Sequence, residues 1–229
     1  LDWMRLFKHT KGTLAGEQKI PEPIEKFIFG NVFGWVHQGT GYRRFRKAYW
    51  QVARKNAKSQ DLAITGLYGL AADGEQYSEI YIAATKKEQT RYVWGEATEI
   101  IKVPEFAGKI VTKFHEPIMS KAILHPKSHS VFARMSKDDK KNGDGASPHF
   151  GLLDEYHLHD TEEYYNVLTS GMKSRRQPLL FIITTAGTNL NNPCYRVEYR
   201  YVSEILDPDS EINNDRYFVM INEMDVDDE

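Results

Sequence analysis

Apolar and polar positions along this chain change period several times, and the changes mark out its elements. Residues 45–53 alternate as a strand does, with Tyr49, Trp50 and Val52. From Lys58 to about Leu70 the period becomes helical: Ala63, Leu67, Leu70 and Ala71 share one face. Ile80 to Ala84 is a second strand, followed by a helix with Val93, Ala97, Ile100 and Ile101 on one side. Residues 118–134 read as two short strands around His125-Pro126, and Ser136 to Pro148 as a polar loop. Phe150 to Leu153 is a short buried strand ending in Asp154-Glu155. Tyr164, Tyr165, Leu168 and Met172 mark another helix. Leu179 to Ile183 is an unbroken apolar run, the pattern of a strand covered on both faces. Tyr195, Tyr199, Val202 and Leu206 mark a further helix, and residues 216–222 a last strand. Residues 1–44 are mixed, punctuated by Pro21 and Pro23 before an aromatic stretch from Phe27 to Trp35. Strands alternating with helices predict an α/β domain with a mostly parallel sheet.

In such sheets, ligands bind at the carboxyl ends of strands. Three polar clusters fall at expected strand ends: Arg54 to Ser59, Asp154-Glu155, and Thr184-Thr185. The first resembles a phosphate loop, G-x-x-x-x-G-K-S/T, with Val52 and Ala57 at the glycine positions and Lys58 and Ser59 kept. A turn from strand into helix aims backbone N–H groups at an anion, and the helix dipole adds to the attraction. Lys58 is suited to reach the β and γ phosphates, Ser59 to hold Mg²⁺, and Arg54 to reach the γ phosphate. Alanine at 57 is expected to be tolerated if φ there is negative. The bland reading is a basic turn capped by Asn56. Asp154 at its strand end is suited to a metal and Glu155 to activating water; alone, the pair reads equally as solvated carboxylates. Hydroxyls of Thr184 and Thr185 could sense the γ phosphate or lead into a turn.

Bulk composition narrows the classes. The 229 residues are 41% hydrophobic and 27% charged, which suits one domain with a small appendage. A net charge of −2 argues against a basic nucleic-acid wrapper, while the runs Arg43 to Lys47 and Lys137 to Lys141 remain candidate phosphate contacts. The single cysteine, Cys194, rules out an intrachain disulfide and fits a reducing compartment. No apolar run approaches the ~18 residues of a membrane span. The start has neither a signal-like apolar core nor an initiator Met, so the chain reads as a piece of something longer. His157-Leu158-His159-Asp160 has no second ligand pair at useful spacing for a metal, although His157 could link nucleotide to movement. Asp225 to Glu229 reads as a solvated linker.

Together, A-R-K-N-A-K-S-Q, then F-G-L-L-D-E-Y-H, then Q-P-L-L-F-I-I-T-T-A-G resemble the ATPase domain of the large terminase subunits of tailed bacteriophages. L-A-G-E-Q near residue 14, F-G-W at 33–35 and G-M-K-S-R-R-Q-P-L-L at 171–180 extend the resemblance from about residue 10 to 225. It implies a three-layer P-loop NTPase fold, RecA-like and of ASCE type. The expected division is an N-terminal extension at 1–44, the ATPase domain at 45–222 and the start of an acidic linker at 223–229. A nuclease domain is absent where it should begin, so the chain is read as an isolated ATPase domain.

The resemblance also implies an ATP-hydrolysing motor, with Mg²⁺ and ATP, that drives double-stranded DNA into a procapsid. Its phosphate loop spans Arg54, Lys55, Asn56, Ala57, Lys58, Ser59 and Gln60. Arg54, Lys58 and Glu155 act in hydrolysis; Ser59 and Asp154 are the metal residues; Thr184, Thr185 and Gly187 form the coupling motif. Arg134, Arg175 and Arg176 are candidates to act on a neighbouring subunit. Relatives commonly read adenine with a glutamine before the loop, near where this chain has Ile24-Glu25. The implied partners are DNA, the portal protein, the small terminase subunit and further copies of the chain, a pentamer on the capsid. The implied setting is the host cytoplasm, transiently docked on the procapsid portal, with no membrane. Two other readings share these residues: a DExH-type helicase-like motor, and a non-hydrolysing scaffold that binds nucleotide or portal.

Overall fold

Each apolar run becomes a strand, and most of the helical patterns between them become crossover helices. The computed structural model describes residues 1–85, 87–115, 120–135 and 145–224. The strands are β1 (Lys47–Gln51), β2 (Glu79–Ala83), β3 (Val111–His115), β4 (Ser120–His125), β5 (Ser130–Met135), β6 (Pro148–Asp154), β7 (Leu179–Thr184) and β8 (Tyr217–Ile221). They form one sheet in the order β3-β4-β5-β2-β6-β7-β1-β8. From β5 to β8 every pairing is parallel; β3 and β4 form an antiparallel margin beyond β5.

Alternate strand residues feed two cores, which makes the domain three-layered. Trp50, Ile80, Ile82, Phe150, Leu152, Phe181 and Ile183 face one side. There they meet Ile28 and Val32 of helix α1 (Pro23–Gly34), Leu62 and Leu67 of α2 (Lys58–Ala71), and Val93 and Ala97 of α3 (Lys87–Ile100). Tyr49, Tyr81, Leu153, Leu180 and Ile182 face the other side. They pack on Leu168 of α4 (Glu163–Gly171) and Val202 of α5 (Arg200–Leu206), which continues a π-helical turn at Cys194–Tyr199. Gly66 and Gly69 let α2 settle on the sheet: an added Cβ would come within 2.7 Å of Phe132 and 2.6 Å of Phe150. Among the described residues, no helix is long and apolar enough to cross a membrane.

Residues 1–44 contain a helix that periodicity did not reveal. Large apolar residues lie on both sides of the stretch from Phe27 to Phe33, with Ile28, Phe29 and Val32 buried and Phe27 exposed, so no face stands out. What starts α1 is its cap, where Glu22 and Glu25 form a reciprocal capping box and Pro23 occupies the first turn. Met4, Phe7 and Ile28 enter the same core as α2. Lys19 reinforces this join, with Nζ 2.5 Å from Glu25 Oε1 and 3.0 Å from Asp61 Oδ1 in the first turn of α2. Burial pushes the Asp61 carboxyl well above its usual range, opposed by Lys19.

The run Arg43 to Lys47 does not form a solvated basic face. Arg43 is buried, 2.8 Å from Asp73, and lies over the rings of Phe33 and Phe150. Lys47 sits over Tyr165 and Tyr217, and burial lowers its pKa. These side chains serve packing, and the sequence missed this because a buried ion pair needs partners distant along the chain. The runs Lys137 to Lys141 and Asp225 to Glu229 lie outside the described residues.

Candidate active site

The sheet order brings the three polar clusters together. β7 lies between β6 and β1, and all three run parallel, so Asp154-Glu155, Thr184-Thr185 and the loop after β1 leave the sheet side by side.

The loop from Val52 to Ala57 turns into α2, whose N-terminus carries no side-chain cap. The first-turn N–H groups are thus available to an anion. Asn56 Nδ2 donates to Ala53 O at 3.0 Å and Arg54 O at 3.3 Å, holding the turn from within. Lys58 is buried and curls back, Nζ donating to Ala53 O at 3.1 Å and Val52 O at 3.4 Å. Burial lowers its pKa, Glu155 and Asp154 raise it, and Arg54 lowers it further.

Ala57 departs from expectation. Its φ is +51°, and Lys55 has φ +69°. Both are left-handed, the region where a side chain costs about 1–2 kcal/mol. Ala57 is therefore tolerated despite a positive φ, because the turn requires it. Glycine's own flexibility offsets part of the relief, so Ala57→Gly is expected to stabilise the protein by up to about 1 kcal/mol. For a domain of this size, that raises Tm by roughly 2–4 °C in a thermal melt. A lower Tm would contradict the left-handed loop.

Asp154 is 3% exposed, and Oδ1 has no hydrogen-bond partner. Burial, then Glu155, push its pKa up to about 7, against a backbone hydrogen bond and Lys58. A buried carboxylate oxygen with no partner fits a metal or a metal-bound water. Among the described residues, no cluster of three or more His, Cys, Asp or Glu could cage a metal. This donor set suits Mg²⁺, which takes one or two protein ligands and completes its shell with phosphates and water.

Glu155 adopts φ +48° and is only partly buried. Its Oε2 accepts from Thr185 Oγ1 at 3.4 Å and lies 3.3 Å from His157 Nδ1. Thr184 Oγ1 accepts from His157 N at 3.0 Å and donates to Thr185 O at 3.1 Å. Gly187 lies against the His157 ring, where an added Cβ would come within 2.9 Å, and its N–H donates to the Tyr195 hydroxyl.

Arg54, Lys55, Asn56, Ala57, Lys58, Ser59, Gln60 and Glu155 line one cavity of about 400 Å³. His9, Thr10, Lys11 and Glu96 complete its wall, and none of these four was singled out from sequence. Lys11 Nζ lies 2.6 Å from Glu96 Oε1, and Thr10 also bonds this buried carboxylate. Glu96 offered a signal, a charge beside the buried positions Val93 and Ala97; the other three had none. Gln60 Nε2 donates to Lys8 O at 3.2 Å. A second cavity, about 230 Å³, shares His9, Lys55, Asn56 and Ala57 and has Leu14, Ile20, Ile24 and Trp50 as apolar walls.

The three arginines considered for action on a neighbour lie elsewhere. Arg134 sits over Trp94. Arg175 lies 3.2 Å from Glu75 and 3.8 Å from Glu79 and donates to Tyr77 O and Ser147 O. Arg176 is exposed and reaches Tyr42 Oη at 3.1 Å. Arg175 and Arg176 precede β7, at the end of the sheet opposite the cavity.

Known proteins share this fold. The family model for the terminase large subunit, ATPase domain, matches residues 23–204. Protein YmfN of Escherichia coli (strain K12) is 41% identical over 95 residues, 42% of this chain and 20% of that protein. The large terminase of bacteriophage HK97 superposes with a TM-score of 0.78 at 17% identity, over 98% of this chain and 44% of that one. The large-terminase ATPase domain of Thermus phage P74-26 gives 0.58 at 16% identity, over 89% and 86%. The structural likenesses establish the fold. The chain spans less than half the length of the HK97 protein and a fifth of YmfN.

Proposed function

The chain belongs to the terminase large subunit ATPase-domain family, and on that basis we propose that it binds and hydrolyses ATP with Mg²⁺ to drive double-stranded DNA into a procapsid. The observation that carries the proposal is the convergence of Lys58 after β1, Asp154-Glu155 at the end of β6 and Thr184-Thr185 at the end of β7, three neighbouring parallel strands. The phosphates lie over the uncapped N-terminus of α2. Lys58 swings from the loop carbonyls to the β and γ phosphates, and Arg54 offsets γ-phosphate charge. Ser59 and Asp154 would hold Mg²⁺, which would supply neutralisation of phosphate charge. Glu155 takes a proton from the attacking water.

The nucleotide base occupies the second cavity, between Ile24 and Trp50. There the Lys19–Glu25 pair offers a donor and an acceptor where relatives commonly use one amide. Thr184, Thr185 and Gly187 couple the site to movement. Of Arg134, Arg175 and Arg176, the exposed Arg176 is the strongest candidate to enter a neighbouring copy's site. The portal protein, the small terminase subunit and a ring of copies, a pentamer at the portal in the host cytoplasm, complete the proposed setting. The family match does not favour the helicase-like reading.

The test is Mg²⁺-dependent ATP turnover by the purified chain, with and without double-stranded DNA, alongside a thermal-shift titration with Mg-ATP. Slow turnover with a clear shift is expected of a motor subunit without its neighbours. Neither turnover nor a shift would leave only a scaffold, since a bound ligand must raise apparent stability.

A further inference from the structure

Resting on the assignment of Glu155 as the base, we propose that His157 is a positioning residue, whose Nδ1–H orients the Glu155 carboxylate and ties it to the end of β7. The argument begins with hydrogen-bond bookkeeping around one ring. Nδ1 lies 3.0 Å from Thr184 Oγ1 and 3.3 Å from Glu155 Oε2. An ionised carboxylate only accepts. Thr184 has one hydroxyl proton, which goes to Thr185 O at 3.1 Å, while its oxygen already accepts from His157 N. With the Thr184 proton on Thr185 O, a proton on Nδ1 serves both Thr184 Oγ1 and the accept-only Glu155 carboxylate, and this is the tautomer the proposal assigns. Nε2 carries no proton; Thr185 Oγ1 lies 3.4 Å from both ring nitrogens, and its own proton goes to Glu155 Oε2.

The ring is held firmly. His157 is 6% exposed, packed against Gly187, and its carbonyl accepts from Asn192 Nδ2 at 2.8 Å. Glu155 needs such a partner, because its own side chain stays 28% exposed at the cavity edge. Charge matters as much as direction. An imidazolium would neutralise the base it positions. Burial, the leading effect, lowers the His157 pKa; Glu155 opposes this, and Arg54 and Lys58 lower it further. The neutral imidazole thus orients Glu155 without cancelling its charge. Because Thr184 ends β7, a displacement of that strand would move the base, which gives the threonine pair a physical route to hydrolysis.

The test compares three substitutions. His157→Leu removes the donor at similar bulk and is expected to lower kcat about 10–100-fold, with KM for ATP within about twofold. His157→Asn returns an N–H near the Nδ1 position and is expected to recover most of that loss. His157→Gln, whose amide reaches toward Nε2 instead, is not. A Mg-ATP thermal shift shows that each variant is folded and binds. Equal losses in the Leu and Asn variants, or a change in KM alone, would overturn the proposal.

A second measurement does not depend on turnover. Imidazole ¹⁵N shifts, with His157 assigned by its absence in the Asn variant, should report the Nδ1–H tautomer and change in Glu155→Gln. An Nε2–H tautomer overturns the proposal. If the parent and Glu155→Gln hydrolyse ATP equally, the function assignment fails instead, and the tautomer still decides whether His157 serves Glu155.

Discussion

Replacing Glu155 by glutamine is expected to slow ATP hydrolysis by about 10²–10⁴-fold, the usual contribution of a general base, while Mg-ATP still binds. The exchange is nearly isosteric. The amide oxygen can still accept from Thr185, as Oε2 does at 3.4 Å, so the left-handed turn at 155 has no reason to rearrange. Affinity should persist because phosphate binding is assigned to the uncapped helix N-terminus and Lys58, not to Glu155. What is lost is the ability to take the proton from water. Initial rates at saturating Mg-ATP, set beside a thermal-shift titration, separate the two effects. An unchanged rate would remove Glu155 from the reaction.

Asp154→Asn should act on stability and metal dependence together. The buried Asp154 carboxyl has its pKa raised to about 7, against 3.8 for the free group. Between those values the folded chain keeps a proton that the unfolded chain has lost. Stability without nucleotide therefore falls as pH rises through that window, then levels off. Asparagine removes the penalty, so the variant's advantage grows from about pH 4 to 7. It reaches on the order of 4 kcal/mol above that, or roughly 8–16 °C in Tm. Mg²⁺ should reverse the order. The parent gains much more stability from Mg-ATP than from ATP alone, and the variant gains equally from both. Melts at pH 5 and 8, each with and without Mg²⁺, check the result. A pH-independent difference, or an intact Mg²⁺ response in the variant, would dissociate Asp154 from the metal.

The sequence carried the central sheet well because its strands are either unbroken apolar runs, as in Leu179 to Ile183, or end in distinct polar groups. The Asp154-Glu155 and Thr184-Thr185 ends were legible for the same reason. Legibility failed where structure depends on partners far apart in sequence. Helix α1 mixes apolar and polar side chains on its exposed side, Phe27 beside Lys26, and β3 is a sheet margin with weak alternation. Arg43 looked like a surface cation until Asp73 and two aromatic rings enclosed it. Lys11 and Glu96 reach the cavity from segments 85 residues apart, and no local pattern announces that meeting. The sign of φ at Ala57 is likewise a property of the turn as a whole. A residue type does not fix it.

That turn has a kinetic consequence. Lys55 and Ala57 hold left-handed dihedrals, a kind of turn that can gather neighbouring backbone N–H groups toward an anion. A nucleotide entering it need not wait for the loop to fold, and one leaving need not wait for it to unfold. The ordering entropy that a floppy loop would charge against each binding event was settled when the chain folded. On the proposed motor role, a turn set by the fold would leave the timing of each turnover to the proton transfer and to neighbouring subunits rather than to the loop.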